Sequence, residues 1–151
     1  MAKSSLNLGS VGIWTTQFEH HPAVKVREAA SELEDLGYGA IWFGEAVGRE
    51  ALTHAGLLLA ATRRIVVATG IANIYARDAV AMASGQKALA EAYPDRFVLG
   101  LGVSHLPLVE QLRGHEYQKP VARMRAYLDA MDQAPYRSVA PASKPNGCWR
   151  R

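Results

Sequence analysis

Four short runs of successive apolar residues punctuate the chain, at 11–14, 40–43, 65–69 and 97–101. Each is apolar at consecutive positions, with no polar alternation, as a strand covered on both faces requires; parallel sheets are covered in that way. Their starts leave room for one helix after each strand, and the intervening segments change to a helical period. From 22 to 36, Val26, Ala29, Ala30, Leu33 and Leu36 share a face, with Pro22 suited to the first turn and Gly37 to the stop. A second helix is predicted over 50–62, burying Leu52, Ala55, Leu58 and Leu59, with Arg63 and Arg64 at the negative end of its dipole. A third is predicted over 78–93, with Asp78 as N-cap and Pro94 as the stop. After the fourth strand, helical character starts at Leu106, is interrupted by Gly114 and returns from Pro120 to Met131.

Four strand–helix units in succession call for a parallel α/β sheet with right-handed crossovers. Two architectures satisfy this: a doubly wound open sheet with the first strand central, or a (β/α)8 TIM-barrel type with strands in chain order. A complete barrel takes about 250 residues, and the chain has 151. The expected fold is therefore a half barrel, the first four βα units, over residues 1–134. Residues 135–151, with Pro135, Pro141, Pro145 and Gly147, are expected to be an irregular tail, either a truncation artefact or a native disordered end.

A hydrophobic content of 49% against 21% charged residues is ordinary for one globular domain. The net charge of +3 comes from scattered basic residues, which argues against a nucleic-acid surface. Cys148 is the single cysteine, so no intrachain disulfide forms and a reducing compartment, the cytoplasm, is expected. No apolar run approaches the roughly 20 residues of a spanning helix, and membrane association is not expected.

In a parallel α/β sheet, ligands bind beyond the C-terminal ends of the strands. Those ends deliver Trp14; Glu45; Gly70, Ile71 and Asn73; then Gly100, Gly102, Ser104 and His105. Glu45 is placed to orient a substrate or relay a proton, or else to cap a helix or pair with an arginine. Trp14 walls a pocket or joins the core. Gly100 and Gly102 do not make a dinucleotide fingerprint, because His105 stands where the third glycine belongs. The adjacent His20 and His21 can line an entrance but lack a metal-ligand partner at suitable spacing. His54 and His115 are expected at the surface or an interface.

Taken in order, residues 8–14 (LGSVGIW), 40–45 (AIWFGE), 69–78 (TGIANIYARD) and 96–105 (RFVLGLGVSH) resemble the luciferase-like monooxygenase superfamily, in particular its coenzyme F420-dependent oxidoreductases. Tyr117, Lys119, Pro120, Met124, Tyr127 and Leu128 extend the resemblance, which covers Leu6 to Tyr136. It implies a non-prolyl cis peptide at Gly70–Ile71 whose bulge presses on the central ring of the cofactor; the alternative is an ordinary trans strand end. It places Asn73 on a polar ring edge, unless that side chain serves its own loop, and Gly100, Gly102, Ser104 and His105 against the ring or tail. Glu45 and Trp14 become the catalytic candidates. The implied chemistry is hydride transfer between F420 and a small organic substrate, with FMN and monooxygenation as the alternative. In such barrels much of the phosphate and substrate site comes from the second half, so this chain alone is expected to bind cofactor weakly or not at all, and a non-catalytic dimerisation module is the rival reading. A homodimer is expected on either reading, with Ala51, Ala55, Ala79 and Ala83 permitting close helix contact.

Overall fold

The computed structural model describes residues 6–136; Cys148 and the tail from 137 onward lie outside the described residues. Along the chain run β1 (Gly12–Trp14), α1 (Ala23–Asp35), β2 (Ala40–Phe43), α2 (Ala51–Ala61), β3 (Val66–Thr69), β4 (Ala72–Asn73), α3 (Ala79–Ala92), β5 (Phe97–Val98), β6 (Leu101–Gly102) and α4 (Pro120–Gln133). A 3-10 turn, Gln17–His20, follows β1, and a wide π-helical turn, Pro107–Leu112, follows β6. The main sheet is parallel in the order β1-β2-β3-β5, with β4 and β6 forming a small parallel pair beyond it. This sequential order is that of a barrel segment and rules out a doubly wound sheet with its first strand central.

The third predicted strand, 65–69, is followed by a further short strand, and the fourth, 97–101, is broken in two. The third pauses at Gly70–Ile71 and resumes as β4; the fourth pauses at Leu99–Gly100 and resumes as β6. The Thr69 hydroxyl causes the second break. It donates to Gly100 O (2.8 Å) and accepts from Gly100 N (2.9 Å), so a side chain replaces the ladder at that rung. A Cβ on Gly100 would collide with Thr69 O, which only glycine avoids.

The register sets Ile13, Ile41, Val67 and Phe97 level across the sheet. Ile41, Phe43, Val67 and Phe97 join Val26, Leu58, Leu59 and Met82 in the core beneath the helices. The alternate row is Trp14, Trp42, Ala68 and Val98. Trp14 is 57% exposed, so it is no core residue. The four alanines expected to serve helix contact in a dimer, Ala51, Ala55, Ala79 and Ala83, are buried in the chain's own core and present no small-residue face to a second copy.

Helix boundaries follow the expected caps with small shifts. Pro22 occupies the N-cap position of α1, one residue ahead of the predicted first turn. Glu50, expected inside α2, is its N-cap: the carboxylate accepts from Leu52 N and Thr53 N. Asp78 caps α3 through Ala81 N (2.8 Å). The helical region expected from Leu106 contracts to the π-type turn, ended by Gly114, whose φ is +66°.

Glu34 ties α1 to the start of β3. Its buried carboxylate accepts from the backbone N–H groups of Arg63, Arg64 and Ile65 at 2.5–3.0 Å. Burial raises its pKa, but the three donors together outweigh burial and hold it below the ordinary 4.5. Glu34→Ala strands three N–H groups and is expected to lower stability by about 3 kcal/mol, read from the urea midpoint.

His54 is fully buried on α2, contrary to the surface position expected for it. Its ring meets Phe43 edge-on at 4.6 Å and Phe18 at 6.1 Å, and neither nitrogen has a partner among the described residues. Burial, then the charge of Arg49, depress its pKa below 6.5, against a weaker opposite pull from Glu19. The unfolded chain therefore takes up this proton first, and stability falls as pH drops below 6.5 towards the depressed folded value. In His54→Phe the loss of melting temperature on acidification through this range should be smaller than in the parent chain.

Candidate functional site

The strand ends converge on a cavity of about 650 Å³. Seven of the nine candidate residues line it: Trp14, Glu45, Gly70, Ile71, Gly102, Ser104 and His105. Asn73 and Gly100 do not line it. Asn73 is fully buried, with its Oδ1 accepting from Tyr75 N (2.9 Å) and its Nδ2 unpartnered among the described residues. His20 also faces the cavity, whereas the ring of His21 does not line it.

The Gly70–Ile71 peptide is cis. Gly70 N donates to Phe43 O (2.6 Å), and Glu45 N donates to Ile71 O (3.0 Å). The Trp14 indole N–H donates to Gly70 O at 2.9 Å. Trp14 is thus a donor to the bulge as well as a wall of the cavity. On the opposite side Ile71 leans on Gly102, where a Cβ would lie 2.6 Å from Ile71 Cγ1. A bare backbone at 102 is what lets the bulge and β6 close together.

The Glu45 carboxylate lines the cavity, yet both oxygens are engaged. Oε1 accepts from Ala51 N (3.1 Å) and from the Arg77 guanidinium; Oε2 accepts from Asn73 N (2.8 Å). Its side chain is 4% exposed, and Arg77 reaches on to Glu50 at 2.8 Å. One carboxylate therefore joins the end of β2, the start of α2, β4 and the approach to α3. Sequence reasoning does not single out Arg77, because a residue before an N-cap looks like any surface arginine. The signal was indirect: two glutamates, 45 and 50, at one strand–helix junction need a counter-charge.

Glu19 is engaged too, accepting from Arg49 N (2.8 Å). The imidazoles of His20 and His105 make no hydrogen bond among the described residues, so they are the cavity's uncommitted ionisable groups. Ser104 holds a left-handed turn, φ +60°, that sets the direction of the chain into His105. No group of three or more metal-ligating side chains occurs among the described residues. None of their helices is long and apolar enough to cross a membrane.

Residues 8–142 match the model of the luciferase-like monooxygenase family. The chain belongs to that family. It is 31% identical over 132 residues to a protein of Mycobacterium tuberculosis that carries the name of a coenzyme F420-dependent oxidoreductase, covering 87% of this chain and 37% of the relative. Its fold is similar to an F420-dependent secondary alcohol dehydrogenase holding an F420–acetone adduct (TM-score 0.72, 17% identity, 93% of this chain, 46% of that one). It is also similar to the FMN-bound oxygenating constituent of 3,6-diketocamphane monooxygenase from Pseudomonas putida (TM-score 0.71, 13% identity, 83% and 39%). The chain thus spans less than half the length of these relatives, consistent with four of a barrel's eight units.

Removing Glu45 tests what its carboxylate does. Glu45→Ala leaves the largely buried Arg77 with Glu50 as its one carboxylate partner and two N–H groups unpaired, and should cost about 3 kcal/mol or more of stability. An unchanged denaturation midpoint would show that the carboxylate is not structural.

Proposed function

We propose that this chain is the ring-binding half of an F420-dependent oxidoreductase of the luciferase-like family, acting on a small organic substrate. The observation that carries this reading is the cavity itself, where Ile71 packed on bare Gly102 makes an apolar bearing surface faced by Trp14, His20 and His105. The residues fit a flat tricyclic group: an apolar platform at Ile71, bare glycines at Gly44, Gly70 and Gly102, and a few polar side chains, Thr16, His20, Ser104 and His105, in the same lining.

Bound here, a deazaflavin would supply two-electron transfer as hydride. Ile71 and Gly102 would support the ring, and Trp14 would line the cavity beside Gly70. His105 or His20 exchanges the proton that accompanies hydride transfer at a substrate oxygen, because Glu45 and Glu19 are already bonded. Glu45, expected from sequence to be catalytic, acts on this reading as a positioning residue for the bulge. Asn73 and Gly100, outside the lining, do not touch the ring.

F420 is preferred over FMN because the sequence relative reported above is named for F420 and a structure of similar fold holds an F420–acetone adduct. The FMN-bound structural relative favours the second reading, an FMN-dependent monooxygenase built on the same platform. A cytoplasmic homodimer completes the proposal, supported by the outer edge of β1, which has no neighbouring strand among the described residues and offers a template for pairing. The rival, a non-catalytic dimerisation module, predicts association without cofactor binding.

Fluorescence titration with F420 and with FMN decides among these. Saturable F420 binding, weaker than micromolar and lost in Gly102→Val, is expected, since the remaining barrel units would contribute the phosphate site. No binding of either cofactor up to about 1 mM, or binding indifferent to Gly102→Val, would overturn the assignment; tighter binding of FMN would select the monooxygenase.

A further inference from the structure

The 3-10 turn Gln17–His20, which follows β1, brings Glu19 and His20 into the lining of the strand-end cavity. The turn does little to hold itself: it has no side-chain N-cap, and four residues of 3-10 helix are too few to fix their own direction. Phe18, its buried residue, rests against His54 with ring centres 6.1 Å apart. That apolar contact sets the depth of the turn and leaves open where the next two side chains point.

Arg49, in the connection between β2 and α2, supplies the direction. Its guanidinium donates to Phe18 O and to His21 O (2.7 Å), the carbonyls on either side of Glu19–His20, and its backbone N donates to Glu19 Oε2 (2.8 Å). A planar fork that meets two carbonyls at once fixes orientation as well as distance, which a single ammonium does not. The residue before it is adapted to the same contact. A Cβ on Gly48 would fall 1.2 Å from Glu19 Oε2, so the bare backbone leaves the carboxylate room to reach Arg49 N. The Arg49 guanidinium enters no ion pair among the described residues; it is used on the backbone of a turn 28 to 31 residues earlier in the chain.

We infer that Arg49 is a positioning residue: by bracketing Glu19–His20 it holds the His20 imidazole in the cavity lining, and whatever His20 does there depends on it. The placement stands on the contacts alone, while its bearing on a proton exchanged at a substrate oxygen rests on the oxidoreductase reading above. His105, which enters the cavity after β6, is independent of Arg49.

Arg49→Lys keeps the backbone N–H and the charge that acts on His54, and removes only the fork. Histidine 13Cε1–1Hε1 NMR and hydrogen exchange of the purified chain read its effect. The His20 resonance is expected to move towards that of free histidine and the amides of 18–21 to exchange about tenfold faster, with the His105 resonance and exchange within α2 unchanged. A His20 resonance that stays in place would show that the turn is held without Arg49, and protection lost across α2 would show that Arg49 only stabilises the fold; either result overturns the proposal. With F420 as ligand, His20→Ala and Arg49→Lys should each weaken binding about threefold, and the double variant no more than either alone; additive losses would overturn it as well. Absence of F420 binding would count against the cofactor reading alone, because the NMR and exchange results decide the placement without ligand.

Discussion

The Glu45 carboxylate is the point through which the strand ends are held together. Its two oxygens accept from Ala51 N, Asn73 N and Arg77, and so fasten the β2–α2 junction to β4 and the approach to α3, 28 to 32 residues further along the chain. Taking a carboxylate out of water is expensive unless its lone pairs are filled. Here they are filled by backbone donors whose positions are fixed only when β2, β4 and α2 are all in place. The ion pair therefore acts less as an independent source of stability than as a demand that these parts assemble together. The backbone N–H of the same residue holds Ile71 O, so the anchor of the fold is also the anchor of the cavity wall.

A similar arrangement recurs at the other end of the sheet, where Glu34 gathers three backbone N–H groups at the entry to β3. Between these two buried carboxylates the parallel strands are short, and side chains intrude on the ladder, as Thr69 does at Gly100. Short strands joined by side-chain acceptors leave their C-terminal ends irregular, and irregular backbone at that face is where a ligand can approach N–H and C=O groups directly. The unpartnered His54 ring works in the opposite sense: it is buried for its shape against Phe43 and Phe18, at the cost of an unmet hydrogen-bonding capacity.

Most of the fold was legible because it rests on local pattern. Apolar runs covered on both faces, helical periods between them, Asp78 as a cap and Gly37 and Pro94 as stops are all short-range signals. The cavity was legible in outline for a related reason: strand ends can be read once strands are located, and seven of nine candidates do line it. The exceptions show the limit. Asn73 and Gly100 occupy the same strand ends but do not line the cavity, and of the two readings left open for Glu45, a free carboxylate or a cap and arginine partner, the structure shows the second. Whether a strand-end residue lines the cavity, and which partner it takes, depends on the neighbouring chain, which a strand-end rule does not contain.

By itself the sequence determined that this is a parallel α/β chain of four units with glycine-rich strand ends, because spacing and period are properties of the chain's own order. Only the tertiary structure decided that Arg77 neutralises Glu45 across 32 residues, that Trp14 spends its indole N–H on Gly70 O, and that His54 lies in the core. Those outcomes depend on which groups are left without water when the helices close over the sheet. Desolvation is a property of the assembled packing, and no local stretch of residues carries it.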